Sequence, residues 1–179
     1  MPVDIRSLQA PIRDGFKRDP SSADIKLTVS SAASDLDDPL HCAISPASVH
    51  DTVWRSGAHP AVGGAGDVAC SADLLLGALA ACQETTLRMV AANLGIELDS
   101  LEVRVTGDWD PRGTLAMGKG FPIGLTGIRC ATSVRIKGDV QGDRADRFLR
   151  SAEKYCVVLN TLRTGVPVES TFQVRSAGA

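Results

Sequence analysis

The sequence has little of what would tie it to nucleic acid, a membrane or a metal. Aromatic residues make up 4% of the 179 residues, too few for a surface on which bases stack. Neither sign of charge prevails: 19 Lys and Arg stand against 21 Asp and Glu, a formal net charge of −2, and the two signs are interspersed. That excludes the basic stripe a phosphate backbone or an anionic lipid face would need. The longest apolar-rich run, Leu74 to Cys82, is far too short to span a bilayer. The first residues, MPVDIRSLQAPIRDGF, carry charges where a signal peptide has its apolar stretch. These features set the expectation of a cytoplasmic protein with neither nucleic acid nor membrane as partner.

Cysteine motifs are missing too. No CxxC pair occurs and no His/Cys spacing fits a zinc site, so no bound metal or cofactor is expected. The five cysteines (Cys42, Cys70, Cys82, Cys130 and Cys156) are an odd number, which argues against a disulfide framework in a reducing compartment. A disulfide that does form there is catalytic or redox-sensing.

What is present is an ordinary globular mix, 44% hydrophobic and 22% charged, of a length suited to one domain. The organising stretch is Ser71 to Gly95, SADLLLGALAACQETTLRMVAANLG, which reads as one long helix, apolar nearly all round in its first half. Ser71 is the expected N-cap, Asp73 favours the first turn, and Gly95 suits the C′ position. Glu84 and Arg88 form an i, i+4 pair on the second half.

Before that helix, residues 1–23 read as an arm or irregular lead-in, and residues 24–179 as a single domain. Asp24 to Ser30 alternates Ile25, Leu27 and Val29 as a half-buried strand, with LHCAI as its hairpin partner. Ser48 to Trp54 is a third strand or a short helix. A long loop, RSGAHPAVGGAGDVAC, follows. Its GGAG at 63–66 has neither the lysine nor the strand of a phosphate loop.

After the helix, Leu101 to Trp109 and Ile128 to Lys137 alternate as strands, with Cys130 on the apolar side of the second. A second helix is expected from about Asp143 to Arg163. There Phe148, Leu149, Ala152, Cys156 and Leu159 recur at spacings of three and four and put Cys156 on the buried face. Pro167 to Val174 reads as a last strand. The order strands, helix, two strands, helix, strand indicates an α+β fold with both helices packed on antiparallel strands.

Two thiols in the middle of the only long helices form the sharpest constellation. Cys82 and Cys156 are core filling, or they meet within disulfide reach. Nothing local activates Cys82, which lies eleven residues into its helix, and apolar surroundings raise a thiol pKa. Activation requires a basic group from elsewhere: Arg55, His59, or Arg13 and Arg18 of the arm. Cys70, next to the start of the helix, competes as the better-placed thiol on local electrostatics.

The run ADLLLGALAACQETTLRMVAANLGIELDSLEV, followed some seventy residues later by AEKYCVVLNTL and a short terminal strand, resembles the OsmC/organic hydroperoxide resistance family. The resemblance covers roughly Ser71 to Val174. It implies an α+β fold built as an intertwined homodimer with two sites at the subunit interface. It further implies a peroxide-reducing role in oxidative stress defence, with Cys82 attacking the hydroperoxide and Cys156 resolving the sulfenic acid. An external dithiol resembling dihydrolipoamide would be the reductant. An apolar pocket favours organic over hydrogen peroxide.

The sequence departs from the family at two places. Ten residues before Cys82, where active members carry a glutamate that holds an activating arginine, stands Ala72; the nearest acid is Asp73, roughly 100° round the helix. After Cys156, where better-known members have proline, stands Val157. Two other readings follow: a non-catalytic dimer that binds a small lipophilic ligand, and a redox sensor that uses Cys70.

Overall fold

The computed structural model describes residues 3–32, 35–138 and 142–174. In chain order these form helix α1 (Ile5–Arg18), strands β1 (Val29–Ser31), β2 (His41–Pro46) and β3 (Trp54–Gly57), and the long helix α2 (Ser71–Leu94). Strand β4 (Leu98–Asp108), the single turn α3 (Pro111–Thr114), strand β5 (Gly127–Ile136) and helices α4 (Asp143–Tyr155) and α5 (Val157–Thr164) follow. The fold is α+β with antiparallel sheets, the class that the periodicities predict. No helix among the described residues is long and apolar enough to cross a membrane.

Helix α2 runs almost as its sequence dictates, with the start shifted by one residue. Cys70, not Ser71, is the N-cap, and its N–H donates to the Asp73 carboxylate at 2.9 Å. Asp73 thus satisfies a backbone donor that the first turn leaves unpaired. At the other end Gly95 takes the left-handed conformation (φ 61°) that a side chain would resist, and its N–H closes the last turn.

One stripe of α2 enters the core. Leu87 and Ala91 pack with Ile96, Phe148 and Ala152, all buried. Partly buried Leu101, Val103, Val134 and Ile136 of the β4–β5 pair complete the layer. Phe148 has no exposed surface, so truncating it to alanine costs about 3–5 kcal/mol. Strands β4 and β5 pair from Leu98↔Ile136 to Asp108↔Gly127 with one irregularity between Leu98 and Ser100. They lie against α2 on their inner face, while Glu102 and Arg104 point to solvent.

Four expectations are corrected. The arm is not irregular: Ile5–Arg18 is helical, begun by Asp4 accepting the Ser7 N–H at 3.2 Å. It continues through Pro11 at the cost of one backbone bond. The expected strand Asp24 to Ser30 shrinks to Val29–Ser31, leaving Ile25 and Leu27 exposed at 67% and 84%. Its hairpin with β2 does form, with Val29 opposite Pro46. The third strand starts only at Trp54, because residues 47–51 turn and Asp51 takes a positive φ of 56°.

The terminal stretch Pro167 to Val174 pairs with no strand among the described residues. Its Val168, Phe172 and Val174 are at least 83% exposed. An alternating pattern gives a strand only where a sheet edge is available to accept it.

Candidate active site

The expected helix from Asp143 to Arg163 is two helices, and the break between them makes the site. It falls at Cys156, which ends α4 and caps α5 in an extended conformation (φ −74°, ψ 106°). The apolar register runs through the break unchanged, so Phe148, Ala152 and Cys156 are all fully buried. Leu149, expected on that face, is 45% exposed. A broken helix leaves carbonyls without donors. Asn160 meets them: its side-chain amide donates to the carbonyls of Cys156 at 2.8 Å, Lys154 at 3.1 Å and Glu153 at 3.3 Å.

The break frees the first N–H groups of α5, and they are directed at Cys82. Burial pushes the Cys82 thiol up, but the N–H groups of Val158 and Val157, the Cys156 thiol and the Thr86 hydroxyl outweigh it and leave Cys82 below its ordinary pKa. Hydrogen bonds to the thiolate and the positive end of a helix both favour the charged form. Val157 can donate because it is not proline. Thr86 stands four residues after Cys82, on the same face of α2.

Cys156 shows the opposite shift. Burial holds its thiol up, and neither the Leu159 N–H nor anything else offsets this, while its hydrogen bond to Cys82 keeps the proton on Cys156. The pair therefore consists of one thiol shifted toward its charged form and a neighbour shifted toward its protonated form.

Cys82 opens into a cleft of about 680 Å³. Met89, Val90 and Leu94 of α2 and Val157 of α5 form apolar walls, and Arg6, Arg13 and Arg147 stand around it. Arg13 is thus the one arm cation named from sequence that reaches the Cys82 cleft; Arg18 is not part of it.

The other auxiliary residues gather at the far end of α2. Asp73 bonds the Cys70 N–H, which holds its carboxyl below the usual range together with the Cys70 side chain. His59 accepts the Ala61 N–H at 3.0 Å and meets Trp109 edge-on at 5.5 Å between ring centroids. With Cys70 and Ala72 it lines a separate pocket. Arg55 lies on β3, opposite Ala43. Cys70 and Cys82 are twelve residues apart on the helix, about 18 Å. Within one chain, therefore, His59 and Cys70 share a pocket apart from the Cys82–Cys156 pair, and neither Arg55 nor Asp73 lines the Cys82 cleft. The glycine loop beside them is built for close approach: a Cβ on Gly64 would lie 1.7 Å from the Ala58 carbonyl oxygen.

Sequence reasoning missed two of the donors to Cys82, the backbone N–H groups of Val158 and Val157, because an unbroken apolar register conceals a one-residue break. It also missed Arg6 and Arg147. The available signal was Asn160, a poor helix former three to four residues after the break, where its amide can reach back.

Comparison with known proteins bears on the fold. Residues 64–171 match the family described as OsmC-like protein. Among solved structures the chain resembles an OsmC-like protein from Mycoplasma pneumoniae at 20% identity, covering 79% of this chain and 90% of that one with a TM-score of 0.62. It also resembles an OsmC-like protein of unknown function from Vibrio cholerae at 11% identity, covering 76% and 93%, with a TM-score of 0.60. An organic hydroperoxide resistance protein from Elizabethkingia anophelis aligns at 16% identity over 79% and 90%, with a TM-score of 0.54. No curated protein matches the chain. The family match spans more than half of the sequence and the solved structures share its architecture, so this chain belongs to the OsmC-like protein family.

Proposed function

We propose that this protein reduces organic hydroperoxides to alcohols, with Cys82 as attacking thiol and Cys156 as resolving thiol, in a peroxide-related stress role. The observation that carries the reading is geometric: Cys82 opens into a cleft walled by Met89, Val90, Leu94 and Val157, beside the start of α5 that Cys156 caps. The same donors hold its thiol below the ordinary pKa. The organic hydroperoxide resistance protein among the structural neighbours points to the same chemistry.

The Cys82 thiolate attacks the terminal oxygen of the hydroperoxide. The S–O bond forms as the O–O bond breaks, and the alkoxide takes a proton to leave as alcohol. Cys156 then attacks the sulfenic sulfur. An S–S bond forms, and the hydroxyl leaves with the Cys156 proton as water. An external dithiol of the dihydrolipoamide class returns both cysteines to thiols by exchange and is itself oxidised. No metal or bound cofactor takes part in this scheme.

The test is turnover of cumene hydroperoxide by reduced protein with a dithiol donor. Cys82→Ser is expected to lower turnover at least about a thousandfold. Cys156→Ser leaves a sulfenate that gains further oxygen, seen by mass spectrometry as sulfinate. Undiminished turnover by Cys82→Ser would refute the mechanism.

The proposal includes a homodimer in a cytosolic setting. Support for the dimer is the apolar surface that one chain leaves uncovered: Leu27, Val168, Phe172 and Val174 at 83% or more, with Leu8 and Ile12 along α1. Burying such surface drives association at about 25 cal/mol per Å². Light scattering should give twice the chain mass of 18.8 kDa. Ala72, in place of the family glutamate, favours the lipophilic-binding alternative. Thiol titration separates the two, because a rapidly alkylated Cys82 at neutral pH belongs only to the catalytic reading.

A further inference from the structure

The buried stripe of α2 consists of Leu79, Gln83, Leu87 and Ala91, one residue per turn. Three of these are apolar and one is an amide. Gln83 is only 8% exposed, and its Oε1 has no hydrogen-bond partner among the described residues. A buried carbonyl oxygen left unpaired costs stability, so native cores seldom keep one. Nothing on its own face of α2 relieves it, since the residues a turn away are Leu79 and Leu87, each 1% exposed.

Gln83 lines a cleft of about 650 Å³ between α2, β5 and α5, and Cys82 is not part of that cleft. The volume is that of a small-molecule site. Leu125 and Ile128 line it from the side of β5, and Leu159 and Leu162 from α5. Arg163 and Glu153 line it too, and they pair with each other at 2.6 Å. A ligand there meets apolar walls, a buried unpaired acceptor and no net charge. Leu27, Val168, Phe172 and Val174, the surface proposed to meet a second chain, do not line it.

These features narrow the ligand. A water molecule is a poor match, because it needs several polar partners and leucines flank the amide. An ionised carboxylate brings no donor and would face the Gln83 lone pairs. An amide N–H brings a carbonyl with it, and the Arg163 guanidinium is already taken by Glu153. A hydroxyl supplies one donor without charge. An apolar body behind that hydroxyl suits the leucine walls.

We propose that this cleft is a binding site for an uncharged lipophilic alcohol, with Gln83 Oε1 accepting the hydroxyl. The site is separate from the Cys82 cleft and does not depend on the peroxidase reading. It gives a reason for an amide in a stripe of α2 that is otherwise apolar.

Two measurements test this. Calorimetric titration of the reduced protein with 1-octanol and with octyl methyl ether reads the hydroxyl directly. The alcohol is expected to bind roughly tenfold more tightly, the worth of one hydrogen bond to a buried acceptor. In Gln83→Leu the preference disappears, and the melting temperature without ligand rises because the unpaired oxygen is gone. Equal affinities in the parent, no binding of either, or a preference that Gln83→Leu keeps would overturn the proposal.

The second measurement locates the ligand and needs no variant. Cys130 lines the same cleft as Gln83, whereas Cys82 lines the other. Octanol at about four times its Kd should slow Cys130 alkylation at alkaline pH roughly fivefold and leave Cys82 labelling as it was. Unchanged Cys130 labelling, or protection of Cys82 instead, overturns the site. Protection of Cys130 in a protein that consumes no hydroperoxide keeps the site and overturns the peroxidase reading alone.

Discussion

Two of the clefts against α2 each contain a half-buried thiol, and they differ in almost everything except their size. One contains Cys82 with Arg6, Arg13 and Arg147, which make no ion pair among the described residues. The other, about 650 Å³, is lined by Leu79, Gln83, Cys130 and Arg163 among others. In the second cleft the charge is neutralised, since Arg163 pairs with Glu153 at 2.6 Å. Cys82 and Cys130 are both half-buried, yet their pKa values move in opposite directions. Burial pushes Cys130 up and the Arg163 charge offsets only part of this. Burial pushes Cys82 up as well, but four hydrogen-bonding groups reverse it.

Burial alone therefore does not decide the direction in which a thiol pKa moves. What decides it here is which thiol receives backbone donors, and that depends on where α4 stops and α5 starts. A formal positive charge nearby is the weaker influence here, because Arg163 is more than half exposed and already paired.

The largest contrast should appear in alkylation of the reduced protein at neutral pH. Cys82 should react with iodoacetamide on the order of a hundredfold faster than Cys130, since only thiolate is a nucleophile. Peptide mapping over time reads this, and equal labelling of the two would erase the comparison. The pH profile follows the same signs. Cys82 labelling reaches half its maximum below the ordinary thiol range, and Cys130 labelling above it. Stability moves with them: folded Cys82 releases its proton before the unfolded chain does, so its contribution grows as pH rises through the folded pKa and is kept above the ordinary thiol pKa. Cys130 and Cys156 hold their protons longer when folded, so the stability they add is full below the ordinary thiol pKa and is lost as pH climbs through their raised values.

A smaller effect comes from removing one donor. Val157 occupies the first position of α5, where proline fits the backbone and lacks an N–H. Val157→Pro should slow Cys82 alkylation at pH 7 by roughly tenfold, the worth of one hydrogen bond to a charged group, with little change in melting temperature. An unchanged rate would mean that the helix start is not what lowers the Cys82 pKa.

The smallest acts on the other cleft. Glu153→Gln leaves Arg163 unopposed near Cys130 and should quicken Cys130 alkylation by about twofold at low ionic strength. Added salt should remove the gain. These two substitutions draw the reactivities of the two thiols together without replacing either sulfur.

Much of the scaffold was legible because it follows from period and end signals. Helix α2 needs only its apolar run, Asp73 in the first turn and Gly95 at the end. Strands β4 and β5 need only their alternation. The buried face of α4 is set by Phe148, Ala152 and Cys156 at spacings of four. The N-cap was misplaced by one residue because Cys70 has no capping side chain of the usual kind; its N–H, held by Asp73, marks the boundary. Helix α1 was hidden by Pro11 and its charges, although Leu8, Ile12 and Phe16 are spaced by four.

The terminal strand failed for a different reason. Alternation in Pro167 to Val174 states which faces a strand would present, not whether an edge exists for it. Among the described residues of a single chain none does.

The sequence by itself determined the α+β class, the long central helix and the placing of Cys82 and Cys156 on helix faces directed inward, as consequences of local period and composition. The family came from the likeness of particular residue runs, which the match over residues 64–171 bears out. Only the tertiary structure gives Cys82 a pKa below its ordinary value. The lowering comes in part from N–H groups of Val157 and Val158, seventy-five residues and more along the chain, and every residue but proline carries that group. A backbone donor leaves no mark in the sequence, and its direction exists only once α5 has broken from α4 and packed against α2.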